Sequence, residues 1–158
     1  MRKFWDKHGP NNKVNLVFNH LGQPSGLKTS KLTNFIGTCV KGKEVSMDHV
    51  HWRKVPGLEK ERIWKTVNAF FNIDESYKSW VLKSAGKKWR AFKLFLRNKY
   101  YDESLTTRQN IANGCENRIV DTQWKWLVRH WRSHKYRVRI CSQQCAISET
   151  FYTALFAQ

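Results

Sequence analysis

Two clusters in this 158-residue chain gather side chains that ligate metals or move protons. His130 and His134 stand four apart, one helical turn, and Cys141 and Cys145 are separated by three residues. Two imidazoles and two thiolates form a zinc ligand set, but a Cys-x3-Cys pair with so short an intervening segment does not define a tetrahedron, so no metal is expected. Asp48, His49 and His51 lie close in sequence without a third ligand or a nucleophile to complete a catalytic group. The chain has no Walker-type phosphate loop and no dinucleotide fingerprint. These residues predict a binding protein rather than an enzyme, with no cofactor.

Charge supplies the stronger signal. Lys and Arg number 29 against 12 acids, a formal net charge of +17. Such a surface either spreads repelling cations or has them neutralised by a polyanion. The basic residues concentrate in two stretches. Lys83, Lys87, Lys88, Arg90, Lys93, Arg97 and Lys99 form the first, and Lys125, Arg129 and Arg132, continued by Lys135, Arg137 and Arg139, form the second. The expected interface is Lys83, Lys87, Arg90, Lys93, Arg97, Lys125, Arg129 and Arg132, set to meet the phosphates of double-stranded DNA. Arginines among them have the fork that reads guanine, whereas lysines suit phosphate. Trp80 and Trp126, beside these cations, raise RNA or a membrane surface as weaker possibilities. No apolar run approaches bilayer length, making a membrane unlikely, and the first residues lack the apolar centre of a secretory signal, which predicts work inside the cell. Four scattered cysteines suggest reduced thiols.

Positioning those cations requires helices. Val14, Leu16 and Phe18 alternate as on a strand, followed by a Gly22–Gly26 turn and a short helix carrying Leu32, Phe35, Ile36 and Cys39 around Gly37. After Pro56, a helix over about 59–71 lines up Ile63, Val67, Phe70 and Phe71, with Trp64 widening the face and Glu59 near the positive helix start. A longer helix from about Asp74 to Tyr100 repeats Tyr77, Val81, Ala85, Trp89, Phe92, Leu96 and Tyr100, with Gly86 a point of division or bending. Residues 101–116 read as a linker. A third helix, capped by Asp121, places Trp124, Leu127, Val128 and Trp131 in one stripe. At least four of Trp64, Trp80, Trp89, Trp124 and Trp131 are expected in structural roles, with Trp80 the exception; Trp5 and Trp126 are expected at the surface or a partner. Val138 to Ile140 predict the start of a strand.

The expectation is a mainly α fold with a small N-terminal α+β segment, its helical core in a helix-turn-helix or Myb-like arrangement. Residues 1–50 form an arm or small α+β segment, 51–139 a tryptophan-rich basic helical domain, and 140–158 an apolar segment. There Phe151, Tyr152, Leu155 and Phe156 are candidate anchors for a protein partner or a second copy.

Ordered blocks also resemble a family, beginning with Gly22-Gln23-Pro24-Ser25-Gly26, Phe35-Ile36-Gly37 and Trp52-Arg53-Lys54-Val55-Pro56. They continue through Ile63-Trp64, Phe70-Phe71-Asn72-Ile73, Val81-Leu82 and Lys88-Trp89-Arg90-Ala91-Phe92-Lys93 to Leu96 and Tyr100, then Gln123-Trp124, Leu127-Val128 and Trp131. Over Val14 to Trp131 the chain resembles the plant transposase family called Ptta or En/Spm. The resemblance implies a non-catalytic, transposon-derived nuclear domain that recognises DNA or helps assemble a complex at element ends. Where that family continues into Asn/Arg-rich sequence and a His-His-Thr-Gly-Gly-like motif, this chain has Cys141 to Cys145 and the apolar segment. This departure reads as a truncated or domesticated copy; the alternative function is a domesticated protein-interaction module in immunity or reproductive conflict using that segment, and the alternative location to the nucleus is the cytoplasm.

Overall fold

Apolar residues recurring every three or four positions from Leu32 onward fold as helices, and their shared face makes the core. The computed structural model describes residues 9, 11–43, 45–115 and 119–138. It is mainly α, with a small β part near the N-terminus. In chain order come strands β1 (Val14–Asn15), β2 (Val17–Phe18) and β3 (Pro24–Ser25), helix α1 (Thr29–Val40), a 3-10 turn (Trp52–Lys54) and helix α2 (Gly57–Phe70). Then follow β4 (Phe71–Asn72), a second 3-10 turn (Glu75–Tyr77), and helices α3 (Lys78–Tyr100), α4 (Thr107–Asn113) and α5 (Asp121–Arg132). Residues 134–138 add a short helical turn, so Val138 is helical where a strand was expected.

The β pairings are brief. β1 runs parallel to β4, with Val14 opposite Phe71 and Asn15 opposite Asn72. β2 and β3 form an antiparallel pair. The turn between them is shaped by the Asn19 carboxamide, whose oxygen accepts the N–H groups of Leu21 and Gln23 at 3.0 and 2.9 Å. Gly22 supplies the left-handed backbone, φ 68°, that this turn requires.

Leu32, Ile36 and Val40, one turn apart, are all fully buried on α1. That stripe packs against both α2 and α3, and α2 packs against α3, giving a three-helix unit; α4 packs against α5. A single apolar cluster runs from Val14 to Trp131. Of the first fifty residues, Val14, Leu32, Ile36, Val40, Val45 and Met47 belong to that cluster. Trp64, Trp89, Trp124 and Trp131 are all buried, while Trp80 is half-buried against the cluster. By substitution to Ala, a buried Trp is worth about 3–5 kcal/mol.

Three local features differ from the sequence pattern. Gly86 does not break α3, which continues through it for 23 residues, about 35 Å at the α-helical rise. A Cβ at Gly86 would lie 2.7 Å from Trp52 Cδ1, so the missing side chain admits the Trp52 indole against the helix. Asp121 is the first helical residue and not the cap, which is Val120; its charge still favours the helix start. The stretch expected as a linker contains α4, closed by a reciprocal capping box between Thr106 and Gln109. Behind it Asn110 is fully buried. Its Nδ2 donates to the carbonyls of Asp102, Leu105 and Thr106, and its Oδ1 accepts the Asp102 N–H. Among the described residues, no helix is long and apolar enough to cross a membrane.

Candidate nucleic-acid interface

Residues 45–50 hold the basic helices in register. Val45 and Met47 turn inward, 3% and 1% exposed, while the polar groups between them are taken up by three helices. Ser46 donates its N–H and hydroxyl to the Glu59 carboxylate on α2, at 2.8 and 2.5 Å. The Trp89 indole N–H of α3 donates to the Ser46 carbonyl at 2.9 Å. Met47 N–H donates to Gln123 Oε1 of α5 at 3.3 Å. Glu59, expected simply to complement a helix start, acts here as the anchor of the clasp.

Lys93 completes the clasp and leaves the expected interface. Its ammonium donates to the His49 carbonyl at 2.6 Å and sits 4.4 Å from the Trp89 ring centre and 5.1 Å from that of Trp126. The residue is only 9% exposed. A cation held between two indole faces gains from the ring quadrupoles while its carbonyl partner offsets lost hydration. It is a structural link between α3 and α5 rather than a phosphate contact.

Arg97 is similarly engaged. Its guanidinium pairs with Glu103 and lies over the Tyr101 and Tyr136 rings, with Nε shut from water and, among the described residues, without a hydrogen-bond partner. Arg132 is exposed, but donates a guanidinium N–H to the Leu105 carbonyl. Both tie the 101–105 connection to a helix.

Lys83, Lys87, Arg90, Lys125 and Arg129 remain. All five are exposed, and among the described residues none makes an ion pair or side-chain hydrogen bond. On α3, Lys83, Lys87 and Arg90 follow i, i+4, i+7 spacing, within about 60° of arc at 100° per residue. They lie away from the buried Val81, Ala85, Trp89, Phe92 and Leu96. Lys125 and Arg129 form a second such row on α5, away from Trp124, Leu127, Val128 and Trp131. Three acids pair with other cations: Glu61 and Glu75 with Lys78, and Glu103 with Arg97. Lys78 is held above its ordinary pKa chiefly by its hydrogen bond to Glu61.

A cleft of about 730 Å³ opens between the 50–53 turn, α3 and the end of α5. Trp89 and Trp131 form its floor, and half-buried Trp52, His130 and Tyr136 form walls. Arg53, Arg90 and Lys93 bring positive charge to it. Of the sequence-predicted cations, the cleft unites Arg90 and Lys93; Lys83, Lys87, Arg97, Lys125, Arg129 and Arg132 are not part of its lining. Sequence reasoning missed Arg53 and Tyr136, although Arg53 stands beside Trp52 in a basic-aromatic pair.

This chain matches no family model, no curated protein and no solved structure. The geometry therefore carries the functional argument. His130 stacks on Trp126, centroids 4.7 Å apart, and meets Tyr136 edge-on. Among the described residues there is no group of three or more potential metal ligands. Cys141 and Cys145 lie outside the described residues, as do Trp5 and the candidate anchors Phe151, Tyr152, Leu155 and Phe156.

Proposed function

We propose that this chain is a non-catalytic, duplex-DNA-binding module, acting in the nucleus, whose two rows of exposed cations contact the phosphate backbone. The observation that carries the reading is Lys83, Lys87 and Arg90: three exposed cations, unpaired among the described residues, in one line on a helix pinned by its opposite face. A rigid line of charge meets a regular line of phosphates without first ordering its own backbone. Lys125 and Arg129 extend the contact, and Arg90 and Arg129 are the side chains suited to guanine edges. Descent from a transposon-derived domain, with assembly at element ends, is part of the same proposal.

The test is salt-dependent binding to a pool of duplexes. Association should weaken with salt. Replacing Lys83, Lys87 and Arg90 together by Gln should reduce the log–log salt slope by about 0.9 per lost contact, with the fold intact because exposed substitutions move stability by about 0.5 kcal/mol or less. No duplex association even at low salt, or a slope unchanged in the triple variant, would refute the proposal.

A further inference from the structure

The aromatic cleft beside Arg90 has a chemistry distinct from the cationic rows. Its volume of about 730 Å³ falls within the usual range for small-molecule sites, roughly 300–1,000 Å³. None of the described residues lining it is acidic. Its walls are rings that each already carry a cation: Trp52 crosses Trp89 at 54° with centroids 6.0 Å apart and has the Lys60 ammonium 5.5 Å from its centre, and Tyr136 stands against His130 with the Arg97 guanidinium 5.8 Å from its centre. Arg53 is exposed at one side and Arg90 at another, while the Lys93 ammonium is fixed in the wall by the His49 carbonyl. A ligand suited to this site has a flat aromatic ring and a nearby negative charge. A base-paired duplex hides its rings in the stack; an unpaired nucleotide presents both ring and phosphate.

We infer that this cleft receives an unpaired nucleotide of a DNA strand, its base against the Trp52 and Tyr136 rings and its phosphate toward Arg53 and Arg90. The macromolecule is taken from the proposed DNA-binding function; the ring-plus-anion chemistry stands on the cleft alone. The chain would then favour DNA with a single-stranded overhang, or with a base turned out of the helix, over an intact blunt duplex.

The experiment measures fluorescence anisotropy of the full chain, at one salt concentration, with three labelled probes: a blunt duplex, the same duplex with a three-nucleotide 3′ overhang, and the same duplex containing one unpaired base. One stacked base should tighten binding about fivefold or more over the blunt probe. Tyr136→Ala and, separately, the exposed-site variant Arg53→Gln should remove that gain while leaving blunt-duplex affinity within about twofold. Lys83→Gln/Lys87→Gln should weaken all three probes together and preserve their ratio. A gain for the unpaired base but not the overhang identifies the turned-out base as the occupant, and the reverse identifies the strand end; either supports the inference. Equal affinity for all three probes overturns the inference and leaves the duplex proposal standing. Failure of every probe to bind overturns both. A gain that survives in both Tyr136→Ala and Arg53→Gln also overturns the inference, by placing the nucleotide elsewhere.

Discussion

Replacing Gly86 by Ala sets two opposed effects against each other at one atom. In a helix interior Ala is favoured over Gly by roughly 0.5–1 kcal/mol. At this position the new methyl would lie 2.7 Å from Trp52 Cδ1 and 3.0 Å from both Cγ and Nε1. These atoms belong to the near edge of a ring also packed on Trp89, so relief requires the whole indole or its turn to shift. Overpacking of this kind costs about 1–3 kcal/mol. The expected net result is a loss of about 1 kcal/mol, or about 2–4 °C in Tm for a chain of this size. The sign should reverse once the ring is removed: in a Trp52→Ala background, Gly86→Ala should stabilise by about 0.5–1 kcal/mol. Urea unfolding of the four proteins, followed by far-ultraviolet circular dichroism of the helices with folded and unfolded baselines fitted for each protein, gives the coupling directly. Stabilisation by the same amount in both backgrounds would refute the assignment of Gly86 as the seat of Trp52. It would also remove the physical reason for the position of one wall of the cleft.

Three further outcomes follow from the geometry. Lys93→Met should lower stability by about 1–3 kcal/mol by leaving the His49 carbonyl without its donor, and should leave the salt slope of duplex binding unchanged; a reduced slope would return Lys93 to the interface. Asn110→Ala should cost about 1–3 kcal/mol by stranding groups of the 102–106 connection, measured by urea unfolding, with an effect below 0.5 kcal/mol counting against that network. The Asp102 carboxylate sits below its ordinary pKa of 3.8 because the Ser104 hydroxyl and N–H donate to it, and Asp74 is lowered in the same way by Ser76. Each contribution is complete above the unfolded pKa and lost as pH falls through the folded one, so Asp102→Asn should flatten the acid limb of the urea-midpoint profile, and an unchanged limb would disprove the linkage.

Sequence pattern revealed α2, α3 and α5 because each buries a stripe at helical spacing: Ile63 and Val67, Val81 through Leu96, and Trp124 through Trp131. α4 has Ile111 alone as a large aliphatic anchor and so produces no stripe; its signal was Thr106 followed three residues later by Gln109. The cationic face was legible where side-chain character and helix position agreed, at Lys83, Lys87 and Arg90. It failed at Lys93, which lies one turn beyond Trp89 and one turn before Leu96, on the inward side. A lysine there has an apolar stem that can be buried and a charge that needs a partner, and the partner comes from His49, 44 residues away in sequence. The clasp was hidden for the same reason: Val45 and Met47 alternate inward, but nothing local discloses that Glu59, Trp89 and Gln123 converge on the residues between and beside them.

The parallel pairing of β1 with β4 has a consequence for how the chain is made. Asn15 faces Asn72 across 57 residues, so the earlier strand emerges during synthesis without its mate. At about 5–20 residues per second, the delay is roughly 3–11 s. Throughout that interval Val14 and Asn15 lack their pairing strand, whereas Phe18 can already meet Pro24 in the local β2–β3 pair; an unpaired strand is a template for wrong association until its mate arrives.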